Sequence, residues 1–402
     1  MSREKTKLPR NVRLLQVHAF FLNMIFILPV IVPYYRDVIG LGFREFMIGE
    51  AAFSAVMILM EVPTGWLADI WTRKHTMALG MAVNVLGYVW LWQADCFADT
   101  VIAQSILGVS LSLLSGTTSA LLYDSLLEAG MESEYRKQEG FRQGLGLYVI
   151  AGASVLGGVL YQFNHQLPII LTAATSLGAL AANLMMVEPG RHKEQGHKNP
   201  FVDVYQTMRY ALHGHVEIAG IIMLSAVLFA ATKTLLWTQQ PYYIVLGLAP
   251  AWFGVLSATG FVLGGLGGHF GHALDGRFRN ISVLTGFLGA IIAVCLIAGL
   301  WPGHHAIPLL LTGSMMFGIG WPRVQAAINK RVSSARRATI LSTASLMIHV
   351  VAIPLMVVIG AVEKSGGITT ALLFLAGALS VGGIAGLLLI KRMNGRAGEA
   401  GR

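Results

Sequence analysis

The chain has 402 residues, of which 55% are hydrophobic and only 12% charged, with a formal net charge of +9. Soluble domains carry roughly 25% charged residues, so an ordinary water-soluble protein is excluded. Two cysteines, Cys96 and Cys295, are too few for a disulfide framework or a zinc site and read as small buried hydrophobes.

A bilayer core about 30 Å thick needs roughly 20 apolar residues per helix. By that rule the sequence predicts an all-α integral membrane protein with about twelve transmembrane helices. They fall near residues 12–35, 43–67, 75–94, 99–124, 140–162, 167–188, 216–241, 250–273, 280–300, 304–329, 337–361 and 367–390. The strands of a membrane barrel alternate polar and apolar residues over about ten positions. The last span, "ITTALLFLAGALSVGGIAGLLLI", is apolar without interruption and so reads as a helix. The first follows Arg3, Lys5, Lys7 and Arg10 as a signal peptide would, but it is too long and no small-residue cleavage site follows, so it is expected to remain as an anchor.

Basic residues fall in alternate joints. One set holds Arg73, Lys74, Arg136, Lys137, Arg191, Lys193, Arg277, Arg279, Lys330 and Arg331, together with both tails; the other holds Arg36, Arg44 and Lys364. Short loops rich in Lys and Arg stay cytoplasmic, which predicts a multi-pass protein of the cell inner (plasma) membrane with both termini inside. The excess positive charge is then a topology signal and a contact with the lipid bilayer, and no nucleic acid partner is expected.

The longest polar stretch, residues 189–215, divides the chain into an N-terminal half, 1–188, and a C-terminal half, 216–402. Within it Asn199 and Pro200 open a segment whose apolar residues share one helical face, the pattern of a helix lying on the membrane surface. His192, His197, His213 and His215 read as solvated loop histidines, with no metal expected. Two internal matches relate the halves. Gly271, Asp275 and Arg279 repeat the spacing of Gly65, Asp69 and Arg73, and "PYYIVLGLAP" from Pro241 echoes "PYYRDVIGLG" from Pro33 at nearly the same offset, close to half the chain.

The stretch "GWLADIWTRKH", Gly65 to His75, resembles the signature loop between helices two and three of the major facilitator superfamily, G-x-L-A-D-x-x-G-R-K. Gly65, Leu67, Ala68, Asp69, Arg73 and Lys74 match, while Thr72 stands where the family usually has glycine. "MEVPTGWLAD" and "ALLYDSLLE" are similar to bacterial members classed as efflux proteins. The resemblance covers nearly the whole chain and implies two pseudo-symmetric six-helix halves. It also implies that Gly65, Asp69, Arg73, Lys74, Asp275 and Arg279 form a conformational latch between them. Physically, Gly65 is expected to allow close helix approach, Asp69 to accept hydrogen bonds from a helix start, and Arg73 and Lys74 to pair locally.

Ionisable residues inside spans cost roughly 2.5 to 3.5 kcal/mol each, so those present carry information. Glu61 is either a protonatable coupling site or a structural acid near Pro63. Asp124 and Arg323 lie on spans that line the cavity in the family and are candidates for a pair across the inner gate; a local partner for Asp124, such as Arg142, is the other reading. His349 is a coupling candidate or a satisfied buried histidine. Lys233 has no acidic residue one turn away; it either faces the cavity with Trp237 and Gln240 or snorkels to the surface. Asn23 and Tyr34 complete the cavity candidates on span one. Glycines at three- and four-residue spacing in spans five and eight, which meet across the halves in the family, would let smooth surfaces rock.

There is no Walker A loop, HExxH or GxSxG motif, so neither an enzyme nor a cofactor is expected. The expectation is a secondary active transporter that exports a small organic molecule by alternating access, as a monomer, coupled to protons with sodium as the alternative ion. The cargo is expected to be a lipophilic drug or an endogenous product such as a siderophore, and Lys233 and Arg323 lean toward a cargo with carboxylates over a purely cationic drug. An ion-coupled nutrient importer is the alternative, and a non-transporting receptor a third class.

Overall fold

A computed structural model describes residues 9–190, 216–274, 280–332 and 334–399. The histidine-bearing linker, its amphipathic segment, Asp275 and Arg279 lie outside these residues, as does the side chain of Asp69. The described residues are helical with no strand among them. In chain order they form α1 (Arg10–Leu22), α2 (Ile31–Tyr34), α3 (Phe43–Ile70), α4 (Arg73–Gln93), α5 (Phe97–Leu114), α6 (Thr117–Glu128), α7 (Tyr135–Phe163), α8 (Leu167–Leu184), α9 (Val216–Val245), α10 (Pro250–Phe270), α11 (Asn280–Leu300), α12 (Ala306–Asn329) and α13 (Ser334–Glu399). Helices α5 and α6 share one span. Helix α13 holds two spans that meet at Gly367, whose φ of 77° only glycine adopts readily. Twelve spans result.

Eight segments are long and apolar enough to cross a membrane on composition alone, the bent α13 pair among them as one. The spans that fall short are the first, α4 and α12. Helix α4 carries Asn84, and α12 carries Arg323 and Gln325. Polar groups inside a span need protein partners: Asn84 accepts from the Ser176 hydroxyl of α8 at 2.9 Å.

Span one departs from the single helix expected over 12–35. It breaks after Leu22, resumes as a short tight turn at Leu28–Val30, and continues through α2 into a wide turn at Tyr35–Ile39. Pro29 and Pro33 are the cause, since each lacks the N–H that a continuous helix requires. The groups left over are satisfied from neighbouring helices. Thr172 of α8 accepts from the Ile27 N–H at 3.2 Å, and Thr175 donates to the Met24 carbonyl at 3.1 Å. The Gln240 amide of α9 accepts from the Val32 N–H at 3.0 Å and donates to the Leu28 carbonyl at 2.9 Å. Leu28 and Val32 are helical i and i+4 partners, so the Gln240 side chain stands where a rung of the ladder would be.

Helices α1–α8 and α9–α13 make the two halves, and α3 against α13 and α7 against α10 carry much of the packing between them. At the second seam a methyl group on Gly158 would lie 2.7 Å from the Pro250 carbonyl, and one on Gly254 would collide with the Ser154 carbonyl. Only glycine permits this approach. Helix α9 sits deepest, with 83% of its most apolar window buried against 22–50% for the other candidate spans. It therefore has almost no lipid-facing side, which decides what its polar residues can touch.

Candidate functional site

Two clusters of polar side chains stand out, one near the end of the bundle that carries the termini and one between the halves. The first is built on the start of α4. Thr72 caps this helix, its hydroxyl accepting from the His75 N–H at 3.2 Å, a bond that the family's usual glycine cannot make. The Glu188 carboxylate, just past α8, accepts from the N–H groups of Arg73 at 3.0 Å and Lys74 at 2.8 Å. A carboxylate on a helix N-terminus satisfies orphan donors and meets the positive end of the helix dipole. The Arg73 guanidinium reaches α6, where it pairs with Asp124 and donates to the Ala120 carbonyl at 2.6 Å.

This geometry corrects several expectations. Arg73 pairs with Asp124 of another helix, so it does not pair locally. Asp124 is thereby held within its own half: Arg142 instead bonds Glu139 at 2.6 Å, and Arg323 lies buried on α12. Gly65 is exposed with open space where a side chain would go, so it serves no close approach here. Glu188 escaped the sequence reading because it is adjacent to the linker and looks like one more loop charge.

The second cluster lies between α3 and α9. Lys233 extends from α9 across the seam, and its Nζ donates to Ser54 Oγ at 2.8 Å and sits 5.5 Å from the centre of the Phe53 ring. The snorkelling alternative is thus set aside. Close by, the fully enclosed Glu50 carboxylate attracts the Lys233 ammonium and accepts from Gln104 Nε2 of α5 at 3.2 Å. His349, from α13, is near enough to feel the Lys233 charge. Trp237, one turn along from Lys233, packs edge-on against Phe46 of α3 with ring centres 5.1 Å apart. Glu50 and Ser54 are buried, while Lys233, Phe53 and His349 keep part of their surface accessible.

Glu50 is the residue that sequence reasoning missed. The signal was available, since "REFMIGEAAFS" places an ionisable residue inside span two, where the cost argument applied to Glu61 applies equally. Its partner was out of reach because it lies in the other half. The Glu50 charge near Lys233 weighs against reading that lysine as a pointer to a carboxylate cargo.

The remaining candidates scatter. Glu61 accepts a hydrogen bond from the Ser342 hydroxyl of α13, another tie across the halves. Gln240 is taken up by the broken span. Tyr34 is fully buried, its hydroxyl donating to the Trp92 carbonyl at 3.4 Å, in a buried apolar cluster that spans both halves. Asn23 bonds the Ala19 carbonyl at 2.7 Å at the end of α1, packed on Gly146 of α7. Cys295 is buried as expected, but Cys96 is exposed beside Asp99, because it lies in the joint before α5.

Among the described residues, several ties between the halves lie toward the end opposite the termini. Gln240 grips span one, Lys364 bonds Glu45 at 3.2 Å, and a methyl group on Gly360 would press on the Arg44 backbone at 3.0 Å. Glu50 and Lys233 lie further in, and Glu61 and Ser342 further still.

Among curated proteins none matches the chain. Among solved structures, the nucleoside transporter NupG superposes with a TM-score of 0.78 at 15% identity, covering 95% of this chain and 99% of its own. A bacterial homolog of the human lysosomal transporter Spinster, in an inward-facing and unoccupied conformation, gives 0.72 at 15% identity over 95% and 96%. A D-xylose-proton symporter gives 0.69 at 13% identity over 94% and 96%. At such identities the likeness concerns the fold. The family model of the Major Facilitator Superfamily matches residues 14–352, and the chain belongs to that family of membrane transporters.

Proposed function

We propose that this chain is a proton-coupled exporter of a small organic molecule, a drug or an endogenous product such as a siderophore, working by alternating access as a monomer. The observation that carries the reading is Lys233 of one half, bonded to Ser54 of the other within the field of the buried Glu50 carboxylate, between two halves that must move apart and together. A buried charged cluster whose surroundings change as the halves rock is placed to exchange a proton as well. One charge crossing 100 mV is worth about 2.3 kcal/mol, enough to drive accumulation or expulsion.

The membrane is the inner (plasma) membrane with both termini in the cytoplasm, following the Lys and Arg distribution. The end sealed by Gln240, Lys364 and Gly360 then faces outward, and the conformation is closed to the outside. Asp69 and the Arg73–Lys74 turn form the inner latch, with Asp275 and Arg279 their counterparts. In this reading Asp124 and Glu188 brace the turn within one half, and Glu61 and His349 flank the proton route.

The fold it shares with a D-xylose-proton symporter favours a second reading, an ion-coupled nutrient importer. Everted vesicles with an acid interior separate the two. Export by proton exchange predicts that a cargo added outside dissipates the gradient with wild-type protein and fails to do so with Glu50→Gln. Cargo-driven alkalinisation of the medium of right-side-out cells, with silence in everted vesicles, would establish import instead.

A further inference from the structure

The surroundings of the Lys233 ammonium are those of an organic-cation site. Its charge lies 5.5 Å from the Phe53 ring centre, bonds the Ser54 oxygen at 2.8 Å and is attracted by the Glu50 carboxylate. An aromatic ring presents its negative face to a cation, and a carboxylate beside such a ring completes the set that recognises alkylammonium groups. An anion in the same place would face the repelling side of that ring and the Glu50 charge together.

We propose that this place in the seam binds an organic cation and that Lys233 is its tethered occupant: the positive nitrogen of the cargo takes the place of the Lys233 ammonium beside Phe53 and Ser54, in the field of Glu50. The inference rests on the seam being the transport site.

Charge balance gives the step its direction. When the cargo cation enters, Glu50 keeps a positive partner, while Lys233 loses its counter-charge and releases one proton to water through the accessible side of the pocket. The seam carries the same net charge before and after, and one cation moves against one proton. The titratable groups that face the pair are His349 from α13, Tyr88 from α4 and Tyr35 after α2, with the Gln104 amide holding Glu50 from α5. Partial exposure of Lys233, Phe53 and His349 leaves the ammonium reachable.

The test is titration calorimetry of the purified full-length protein with tetraphenylphosphonium, benzyltrimethylammonium and, as the opposing probe, citrate. Measurement in two buffers of different ionisation enthalpy counts the protons released. The wild type should bind a cationic probe with release of close to one proton. Lys233→Met should bind it about tenfold more tightly with no release, and Glu50→Gln about tenfold more weakly. Phe53→Leu, which keeps every charge, should weaken binding severalfold and supplies the result if Lys233→Met fails to fold. Unchanged cation affinity in Phe53→Leu, weaker cation binding in a folded Lys233→Met, or citrate binding that disappears in Lys233→Met would each overturn the proposal. Cation binding without flux in vesicles would refute the transport reading and leave the site standing; proton-coupled flux of another cargo without cation binding would do the reverse.

Discussion

The two polar clusters use similar residues for opposite purposes. At the start of α4, Arg73, Asp124 and Glu188 join helices α4, α6 and the end of α8, all within the N-terminal half. In the seam, Lys233 bonds Ser54 and joins α9 to α3, one from each half, with the Glu50 charge close by on α3. Interactions inside a rigid body can stay formed throughout a cycle and contribute mainly to stability. Those between bodies must be remade each time the bodies move, so their loss should show in turnover first. Difference in placement, with chemistry nearly the same, separates brace from switch.

Breaking the switch should have the largest effect. Glu50→Gln leaves the Lys233 ammonium in the seam without the nearby carboxylate charge, and a buried charge without a counter-charge is costly. The variant should lose most of its thermal stability margin in detergent and all coupled flux. The double variant Glu50→Gln with Lys233→Met should recover the melting temperature without recovering flux; recovery of both would reduce the pair to a structural device.

Overpacking the seam comes next. Gly158→Leu places a side chain against the Pro250 carbonyl, and such crowding costs about 1–3 kcal/mol. Because the clash is between halves, it should open the end opposite the termini. Accessibility of a cysteine placed at Ile48 to a membrane-impermeant thiol reagent should rise, and no rise would mean that the helices yield locally.

The brace is sharpened by Glu188→Gln, which keeps the shape but removes the charge at the N-terminus of α4. The expected loss is about 0.5–1 kcal/mol, read as a lower melting temperature with the pH dependence of flux unchanged. A shifted pH profile would place Glu188 in the proton route.

The smallest effect concerns the joint after span one. Burial works to raise the pKa of Asp37, but the Arg36 guanidinium at 2.6 Å and the Tyr161 hydroxyl at 3.1 Å outweigh it and hold the carboxyl below its usual range. With a depressed folded-state pKa, its contribution is complete above the unfolded value, about 3.9, and is lost as the pH falls through the lower one. Melting temperatures of wild type and Asp37→Asn should therefore differ by a constant amount at neutral pH and converge in strong acid. Convergence already near pH 6 would contradict the pairing.

The spans were legible because the bilayer imposes one crude rule, apolar length, and the sequence obeys it over most of the chain. Where the reading failed, a local rule had been subordinated to a distant partner. Span one reads as continuous by hydropathy, yet Pro29 and Pro33 break it, and the break is stable because Thr172, Thr175 and Gln240 arrive from elsewhere. Tyr34 read as cavity-lining by position and is buried here in the cluster between the halves. Glu61 drew attention through its motif, while Glu50, with no motif around it, is the more buried of the two.

By itself the sequence determined the membrane solvent, the number of spans, the two related halves and the family, since each follows from residue type and spacing along the chain. Tertiary structure decided which charges meet. Arg73 could have paired with any acid near its end of the bundle, and Lys233 had no acid within a turn. Burial in a low-dielectric interior makes an unmatched charge costly, so the fold supplied Asp124 to one and Glu50 to the other, from helices that no sequence interval connects to them.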